Sequence, residues 1–578
     1  MDSNKRLILT VILSVGILLG FQWLMPHLVG QPEQQPAVAA DAGQAGQAGA
    51  AGEAPAAPEA VGEAPAAPVP SDVPERTATL RTEQMILTFT NRGAGLVRAE
   101  LQGDKGRRQG GEEADQVDLA AGLEPGDPRL FEVALGGNLG SVGACEQVAA
   151  DQKQVRYRCA GDRVELEKAF SLTGEQTLAL EVTLRNKGSQ PVEGSVDLLV
   201  PARVEPGKQQ SPGCGSLLSA PPQPTQAICR HGDDVTRVMF DADERVVTPA
   251  GPATFAGFEE RYFLAVAAPV RQPETSTCRL ETPRPEFFLS HLVTPVGTVP
   301  PGGSASVQYA LVLGSKDMAV LEAVSDQVVA AGGAADPHLE ETVDLGFWAA
   351  IGRLLFVVMG IFHALIPNWG VAIILLTVFV KVLTFPLAWK SMKAMEAMRA
   401  LAPEIEKLKA KYGDDREKLN LEMMKLYQQA KVNPLGGCLP MLIQMPIWLA
   451  LYTVLQTSVV LYNEPFISGW INDLTSKDPY YILPLAMGIT MFITQKMQPM
   501  QVEPAQQKMM LYFMPAFFTF IMLNLPAGLT LYIFTNNLLS IAQQLALRKS
   551  MGMPMVGKVP AAASTVTVES KGSKKARK

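Results

Sequence analysis

The sequence is poor in the residues that carry covalent chemistry. Its 578 residues include five histidines and six cysteines. Neither C-x-x-C nor H-E-x-x-H occurs, and His231, His291 and His338 have no Cys or His neighbour at ligand spacing. Those absences speak against zinc sites, zincin proteases and thioredoxin-like redox centres. There is also no G-x-S-x-G nucleophile turn and no phosphate-cradling P-loop. The reading is therefore a protein that is not an enzyme, with no catalytic residue, metal or cofactor. Charged residues make up 19% of the chain and the formal net charge is -7, so an extended nucleic-acid surface is not expected.

Long apolar runs are abundant, but they are confined to the two ends of the chain. Lys5 and Arg6 precede an apolar stretch from Leu7 to Met25, closed by Pro26, which is long enough to cross a bilayer. A signal peptide is the alternative, with Ala37-Val38-Ala39 as a small-residue cleavage pattern. That triplet lies far beyond an apolar run already longer than usual for such a peptide, so residues 1–30 are read as an uncleaved anchor. Residues 31–74 are rich in Ala, Pro, Gly, Gln and Glu without apolar periodicity. They cannot bury enough surface to offset the entropy of ordering and are read as a disordered tether.

From 75 to 335 the pattern is that of strands. Leu178, Leu180, Val182 and Leu184 alternate with Ala179, Glu181, Thr183 and Arg185 before an Asn186-Lys187-Gly188 turn. The same period recurs at Val155, Tyr157 and Cys159, and at Val307, Tyr309, Leu311 and Leu313. Many strands punctuated by Gly and Pro predict a large antiparallel β-sandwich.

After Pro337 the chain turns helical and apolar. Residues 340–366, with Phe347, Trp348, Leu354, Leu355 and Phe356 beside Arg353 and His363, suit a helix lying in the membrane interface, because Pro367-Asn368 breaks the run. Spans are predicted at about 369–389, 438–461, 480–496, 509–525 and 527–547, six in all with the N-terminal one. Segment 390–431 holds ten Lys and Arg, whereas loop 462–479 holds only Lys477. The positive-inside rule makes the first cytoplasmic. Lys5 with Arg6, Lys496 with Lys508, and the tail from Arg548 fall on the same side, so both termini are cytoplasmic and the β-domain is periplasmic.

That topology places Cys145, Cys159, Cys214, Cys229 and Cys278 in an oxidising compartment and leaves Cys438 beside a span. Cys145 with Cys159 and Cys214 with Cys229 are candidate bridges. The pairing itself stays open, and an odd count leaves at least one cysteine free.

Lys381 is the one ionisable residue deep within an apolar span. A central lysine is disfavoured by roughly 2.5 to 3.5 kcal/mol on insertion scales, so it must face water, a partner or the bundle interior, or snorkel to the headgroups. Thr377 and Thr384 share its helix face. Gln444, Trp448, Tyr452 and Gln456 form a polar stripe on another span, Thr490 and Thr494 on a third, and Tyr532, Asn536, Ser540 and Gln544 on the last. Such residues join helices by hydrogen bonds or, together, line a polar cavity.

Segment 390–432 reads as a cytoplasmic helical hairpin, with Met392, Met395, Met398, Ile405 and Leu408 before Gly413-Asp414-Asp415 and Leu419, Met423 and Leu426 after it. Methionine there serves as core filler or as an adaptable binding surface. The tail 549–578 ends with five basic residues among its last eight, suited to RNA phosphate or anionic lipid.

Three stretches carry a family likeness. They are Lys431-Val432-Asn433-Pro434-Leu435-Gly436-Gly437-Cys438-Leu439-Pro440, continuing as Met441-Leu442-Ile443-Gln444-Met445-Pro446; Asp478-Pro479-Tyr480-Tyr481-Ile482-Leu483-Pro484; and Gln506-Gln507-Lys508 through the hairpin Leu525-Pro526-Ala527-Gly528. From about 340 to 548 the sequence resembles the YidC, Oxa and Alb family of membrane protein insertases. The order of anchor, tether and β-domain resembles its Gram-negative form. The resemblance implies a five-helix insertase core over 367–548 enclosing a hydrophilic groove open to cytoplasm and lipid and closed to the periplasm. It implies nascent membrane proteins as substrates, SecYEG and SecDF-type translocon subunits as partners, and ribosome and signal-recognition contacts through the hairpin and tail. Aligned through Phe385-Pro386-Leu387, Lys381 stands where many members have arginine, which keeps the charge but loses the planar fork. The groove residues so implied are Lys381, Thr377, Thr384, Gln444, Trp448, Thr490, Thr494, Tyr532, Asn536 and Ser540.

Two other readings compete. A small-solute or ion transporter also uses intramembrane charge, but charge here lies in the inner half of the membrane and no internal repeat is visible. A sugar-binding or sugar-modifying β-domain on an anchor is the other, and a fold does not by itself license that function.

Overall fold

The computed structural model describes residues 74–108, 116–204, 225–239, 245–271, 275–333, 335–345, 348–412, 415–430, 439–497 and 508–550. The expected anchor, tether and basic tail lie outside these residues, as do Cys214, Cys438 and the Lys431–Gly437 stretch.

Strands run from Thr77 to Ser315 and form three antiparallel sheets. The largest has nine strands in the order Asp234–Val238, Gln226–His231, Ala253–Glu259, Phe263–Arg271, Ser304–Ser315, Thr177–Asn186, Val164–Leu172, Gln154–Gly161 and Val142–Ala150. A five-stranded sheet, in the order Val246–Val247, Thr277–Arg284, Phe287–Val299, Val192–Arg203 and Glu132–Leu135, packs against it. A three-stranded sheet, Thr77–Arg81, Met85–Thr90 and Gly95–Leu101, closes one side. In Thr177–Asn186 the residues Leu178, Leu180, Val182 and Leu184 are buried and Glu181 and Arg185 exposed, as strict alternation requires. Asn186 then organises the turn, accepting from the Gly188 amide at 2.8 Å. The long strand Phe287–Val299 tolerates Pro295 because its register shifts between Pro295 and Gly297, and Gly297 takes a left-handed φ of 66°.

Two disulfides hold the sandwich. Cys145–Cys159 joins neighbouring strands. Cys229 bonds Cys278 rather than Cys214, and so links the nine-stranded sheet to the five-stranded one across the core. Sequence proximity favoured Cys214, but the bond follows spatial facing, which adjacency in the chain does not encode.

Lys168 is wholly buried in this core and donates to the carbonyls of Ala94 (2.5 Å) and Phe131 (2.7 Å). Both acceptors have left-handed backbones, with φ of 46° and 63°. The ammonium thus fastens two unfavourable turns, one leading into the strand Gly95–Leu101 and the other into Glu132–Leu135. A second buried charge, Glu259, accepts from Lys316 (2.8 Å), Arg237 (2.8 Å) and Gln226 (2.7 Å), while Arg230 pairs with Glu341 at 2.8 Å. Arg230 with Glu341, and Arg237 with the Glu341 carbonyl, tie the nine-stranded sheet to the 3-10 turn Leu339–Thr342 that leads to the helices.

Two helical elements were not foreseen in the β region, the single turn Gly103–Gly106 and a longer helix. Helix α1, Met318–Ala330, is N-capped by Asp317, whose side chain accepts from the Ala319 amide, and it buries Leu321, Val324 and Val328 on the nine-stranded sheet. Beyond it come α2 (Ala349–Leu365), α3 (Trp369–Ala400), α4 (Ala402–Tyr412), α5 (Arg416–Gln429), α6 (Leu439–Thr457), α7 (Ile482–Met497), α8 (Met509–Met522) and α9 (Ala527–Ser550). The first turns of α8, Met509–Phe513, are π-helical. Helix α3, 32 residues in all, runs on past the predicted span and through Pro386 to Ala400, where the hairpin α4–α5 begins. Proline removes one backbone donor and bends a helix without necessarily ending it. Among the described helices, Trp369–Met395 is long and apolar enough to cross a membrane, while Ala349–Leu365, Ile482–Met497 and Met509–Met522 are apolar but shorter.

Burial pulls the Lys168 ammonium from its ordinary 10.5 down to about 7, with Glu132 opposing that shift. A folded-state value below the unfolded one means full stability at high pH, lost progressively as pH falls from 10.5 to 7 and constant below. From pH 7 to pH 9 the β-domain should become more stable through this group. Hydrogen exchange of the strands Val164–Leu172 and Gly95–Leu101, corrected for intrinsic rates, measures that gain; in Lys168→Met the pH dependence should vanish.

Removing the inter-sheet bond with the double variant Cys229→Ala and Cys278→Ala should lower stability by about 2–4 kcal/mol. The drop would appear as a lower denaturation midpoint.

Candidate functional site

The helices turn apolar side chains outward. On α3, Val382 and Leu383 are 68% and 69% exposed, and Val378, Phe379 and Phe385 join them. Leu354, Val357, Ile361 and Leu365 make a stripe at helical spacing on α2, Leu485, Ile489 and Ile493 another on α7, and Phe513, Phe517 and Phe520 a third on α8. An exposed apolar surface this extensive requires lipid or protein against it.

Polar groups instead meet between helices. Lys381 lies twelve residues into α3, about 18 Å along its axis at 1.5 Å per residue. Its ammonium donates to Ser540 Oγ of α9 at 2.8 Å, and that hydroxyl donates in turn to the Asn536 carbonyl at 2.7 Å. No Asp or Glu occurs in α6, α7, α8 or α9. Gln444 of α6 donates to the Tyr532 hydroxyl of α9 at 2.8 Å, and Trp448 and Tyr452 stack on α6 with ring centroids 6.1 Å apart. Helix α9 therefore carries both polar junctions, one to α3 and one to α6.

Not every predicted residue joins them. Thr377 is buried in the apolar cluster and its hydroxyl bonds the Ile373 carbonyl of its own helix at 2.7 Å. Thr384 bonds Val380, Thr490 bonds Met487 and Thr494 bonds Thr490, each at 2.8 Å to a carbonyl one turn back. A threonine satisfied in this way is compatible with a dry interface. The structure also singles out Asn537, Gln543 and Gln495, which the stripes omitted, beside Gln544 and Gln456, which they included. Asn537 Nδ2, Gln543 Nε2 and Gln544 Oε1 on α9, and Gln495 Oε1 on α7, are buried polar atoms with no bonding partner among the described residues. Asn537, Gln543 and Gln544 stand three or four residues from Ser540 and share its face. That spacing was the available signal.

The helix ends nearest the β-sandwich are tied together by the loop between α6 and α7. Asp473 accepts from the Asn463 and Thr475 amides and from the hydroxyls of Thr475 and Ser476. Asp478, almost fully buried, accepts from Trp470 Nε1 and from the Tyr480 and Leu483 amides, satisfying the start of α7. Leu474 and Ser476 carbonyls accept from Gly528 and Ala527, which hold the start of α9. Asn368, capping α3 through the Val371 amide, donates to the Phe466 carbonyl. One loop thus fastens the starts of α3, α7 and α9, over a layer of Leu461, Ile471, Leu474 and Leu529 that is almost entirely buried.

A helical core with an apolar exterior and interhelical polar junctions, joined to a β-sandwich at one end, defines an integral membrane protein with a large extramembrane domain. Residues 361–553 match the family described as 60Kd inner membrane protein, and residues 143–358 match the YidC periplasmic domain. Over 563 residues the chain is 41% identical to the membrane protein insertase YidC of Anaeromyxobacter sp. (strain K), covering 95% of this chain and 97% of that one. It is 32% identical over 563 residues to the membrane protein insertase YidC of Geotalea daltonii (strain DSM 22248 / JCM 15807 / FRC-32), covering 95% and 99%. A crystal structure described as an active YidC insertase with its first transmembrane domain resolved is 17% identical, covers 81% of this chain and 94% of its own, and has a TM-score of 0.35. The chain belongs to the YidC family of membrane protein insertases. It is accordingly an inner-membrane protein, with its β-sandwich in the periplasm and its helices toward the C-terminal end.

Close packing within the core is tested at Gly488. A Cβ built there would lie 2.1 Å from Thr519 Oγ1 of α8. Gly488→Val should separate α7 from α8 and lower the thermal midpoint in detergent, while Thr519→Ala should restore part of the loss.

Proposed function

We propose that this chain inserts integral membrane proteins into the inner membrane, and helps them fold and assemble, through a polar groove centred on α9. The observation that carries this reading is the pair of junctions Lys381–Ser540 and Gln444–Tyr532, set inside helices whose outward faces are apolar. A polar flank of a substrate enters this wet surface from the cytoplasm and so avoids complete transfer through hydrocarbon. Its apolar segment then moves into lipid along the exposed faces of the helices. Burial of roughly 20 apolar residues supplies the driving force, at about 25 cal/mol per Å², so no nucleotide or covalent step is needed.

In this reading α3, α6, α7, α8 and α9 are five spans, and residues 7–25 a sixth. Helices α7 and α8 are short for a full bilayer, and a locally thinned membrane accommodates them. Helix α2 lies in the periplasmic interface with its apolar stripe in lipid. Ten basic residues in 390–431 put the α4–α5 hairpin in the cytoplasm, together with both termini. The hairpin and tail meet the ribosome and signal-recognition machinery, and the core works alone or beside SecYEG and SecDF-type subunits. A solute transporter needs access from both sides, and the α6–α7 loop favours closure at the periplasmic end.

Lys381 acts electrostatically rather than as a fixed ligand. Lys381→Arg should keep insertion near the parent level. Lys381→Ala should lower it several-fold for substrates with acidic flanks and little for those with neutral flanks. Photo-crosslinkers at Gln444, Asn536 and Ser540 during synthesis of a short membrane protein give the direct check. Absence of nascent-chain adducts at all three would remove the groove from the mechanism.

A further inference from the structure

The α6–α7 loop is gripped from the β-domain by a single turn of helix, Gly103–Gly106. The Lys105 ammonium donates to the carbonyls of Val460 (2.8 Å) and Tyr462 (2.7 Å) and pairs with Glu464 at 2.8 Å. The Asn463 side chain donates to the carbonyls of Asp104 and Arg107, both at 2.8 Å, and the Tyr462 hydroxyl donates to Arg107 at 2.9 Å. The Tyr462 ring packs against Tyr262 and Phe263, with centroids 4.6 and 5.6 Å away. Val459 and Tyr462 are buried with the apolar core of the sandwich rather than with that of the helices. Two residues of the membrane core have thus become part of the β-domain.

The same loop fastens the starts of α3, α7 and α9 at the end of the helical core nearest the β-sandwich, the end opposite the proposed cytoplasmic entry. We infer that the turn Gly103–Gly106 is a clamp, with Lys105 as its positioning residue, by which the periplasmic domain holds this end of the membrane core shut against ions. The inference rests on the groove being wet from the cytoplasmic side, as proposed above. Water reaching from the cytoplasm to an unsealed outer end would give ions a continuous path. The insertase must therefore be closed where the substrate does not enter. A lysine with three acceptors suits this task, since it fixes two main-chain carbonyls and one carboxylate of the loop at once. The glycine following it has no space for a side chain, because a Cβ on Gly106 would lie 2.4 Å from the Leu101 carbonyl carbon.

The experiment uses the full chain in proteoliposomes and compares the parent with Lys105→Met and Lys105→Arg. Three quantities are read: decay of an imposed pH gradient, hydrogen exchange of residues 459–476, and insertion yield of a test substrate. In Lys105→Met, exchange in the loop should rise at least tenfold and the gradient should decay several times faster, with insertion within about twofold of the parent. Lys105→Arg, which retains charge and donors, should restore both loop protection and tightness. Faster exchange with an unchanged gradient would show that the grip has no part in the seal. Unchanged exchange would show that Lys105 does not hold the loop. Either result overturns the inference. Failure of the parent itself to insert substrate would count against the proposed function instead, and the comparison of leak and exchange would still be readable.

Discussion

An ion taken out of water must be met by hydrogen-bonding groups or it destabilises whatever encloses it. Much of this protein is arranged around that constraint. Lys168 is met by the carbonyls of Ala94 and Phe131 and thereby fixes two left-handed turns. Glu259 is met by Lys316, Arg237 and Gln226, which anchor the sheet beside the segment leading into the helices. Lys381 is met by one hydroxyl, Ser540 Oγ. Three acceptor sites would satisfy an ammonium, and a hydroxyl supplies only one of them. The contrast is between charges tied to several main-chain or charged partners and one tied, among the described residues, to a single hydroxyl.

Polarity within the helical core follows the same logic. The threonines on α3 and α7 return their hydroxyls to their own helix, so they add no demand for water. A side-chain amide has two donors and an acceptor, which one backbone carbonyl cannot satisfy together. Asn537, Gln543 and Gln544 on α9, Gln495 on α7 and Gln456 on α6 retain buried atoms without a partner among the described residues. The polarity of the core that its own helices do not satisfy is thus carried by amides and by Lys381 more than by hydroxyls.

How much of this was legible in the sequence depends on the range of the interaction involved. Alternation is local, so the buried set Leu178, Leu180, Val182 and Leu184 could be read directly. Helix α1 was missed because its apolar triplet Leu321, Val324 and Val328 is short and follows a long run of strands. The partner of Cys229 was not legible, since two sheets must form before it faces Cys278. The polar stripes located Gln444, Tyr532 and Ser540, and the structure pairs Gln444 with Tyr532 and Ser540 with Lys381. Stripes cannot show that a threonine has turned to its own backbone. The grip of Lys105 on residues 355 and 357 positions later in the chain left no local trace at all.

The disulfide between Cys229 and Cys278 also fixes an order of events in the life of the chain. Its two sulfurs belong to different sheets and form their bond in an oxidising compartment. Both segments must therefore have left the reducing cytoplasm before the sandwich is locked. A machine for placing other proteins in the membrane thus has a biogenesis problem of its own, because its largest domain is cargo before it is scaffold.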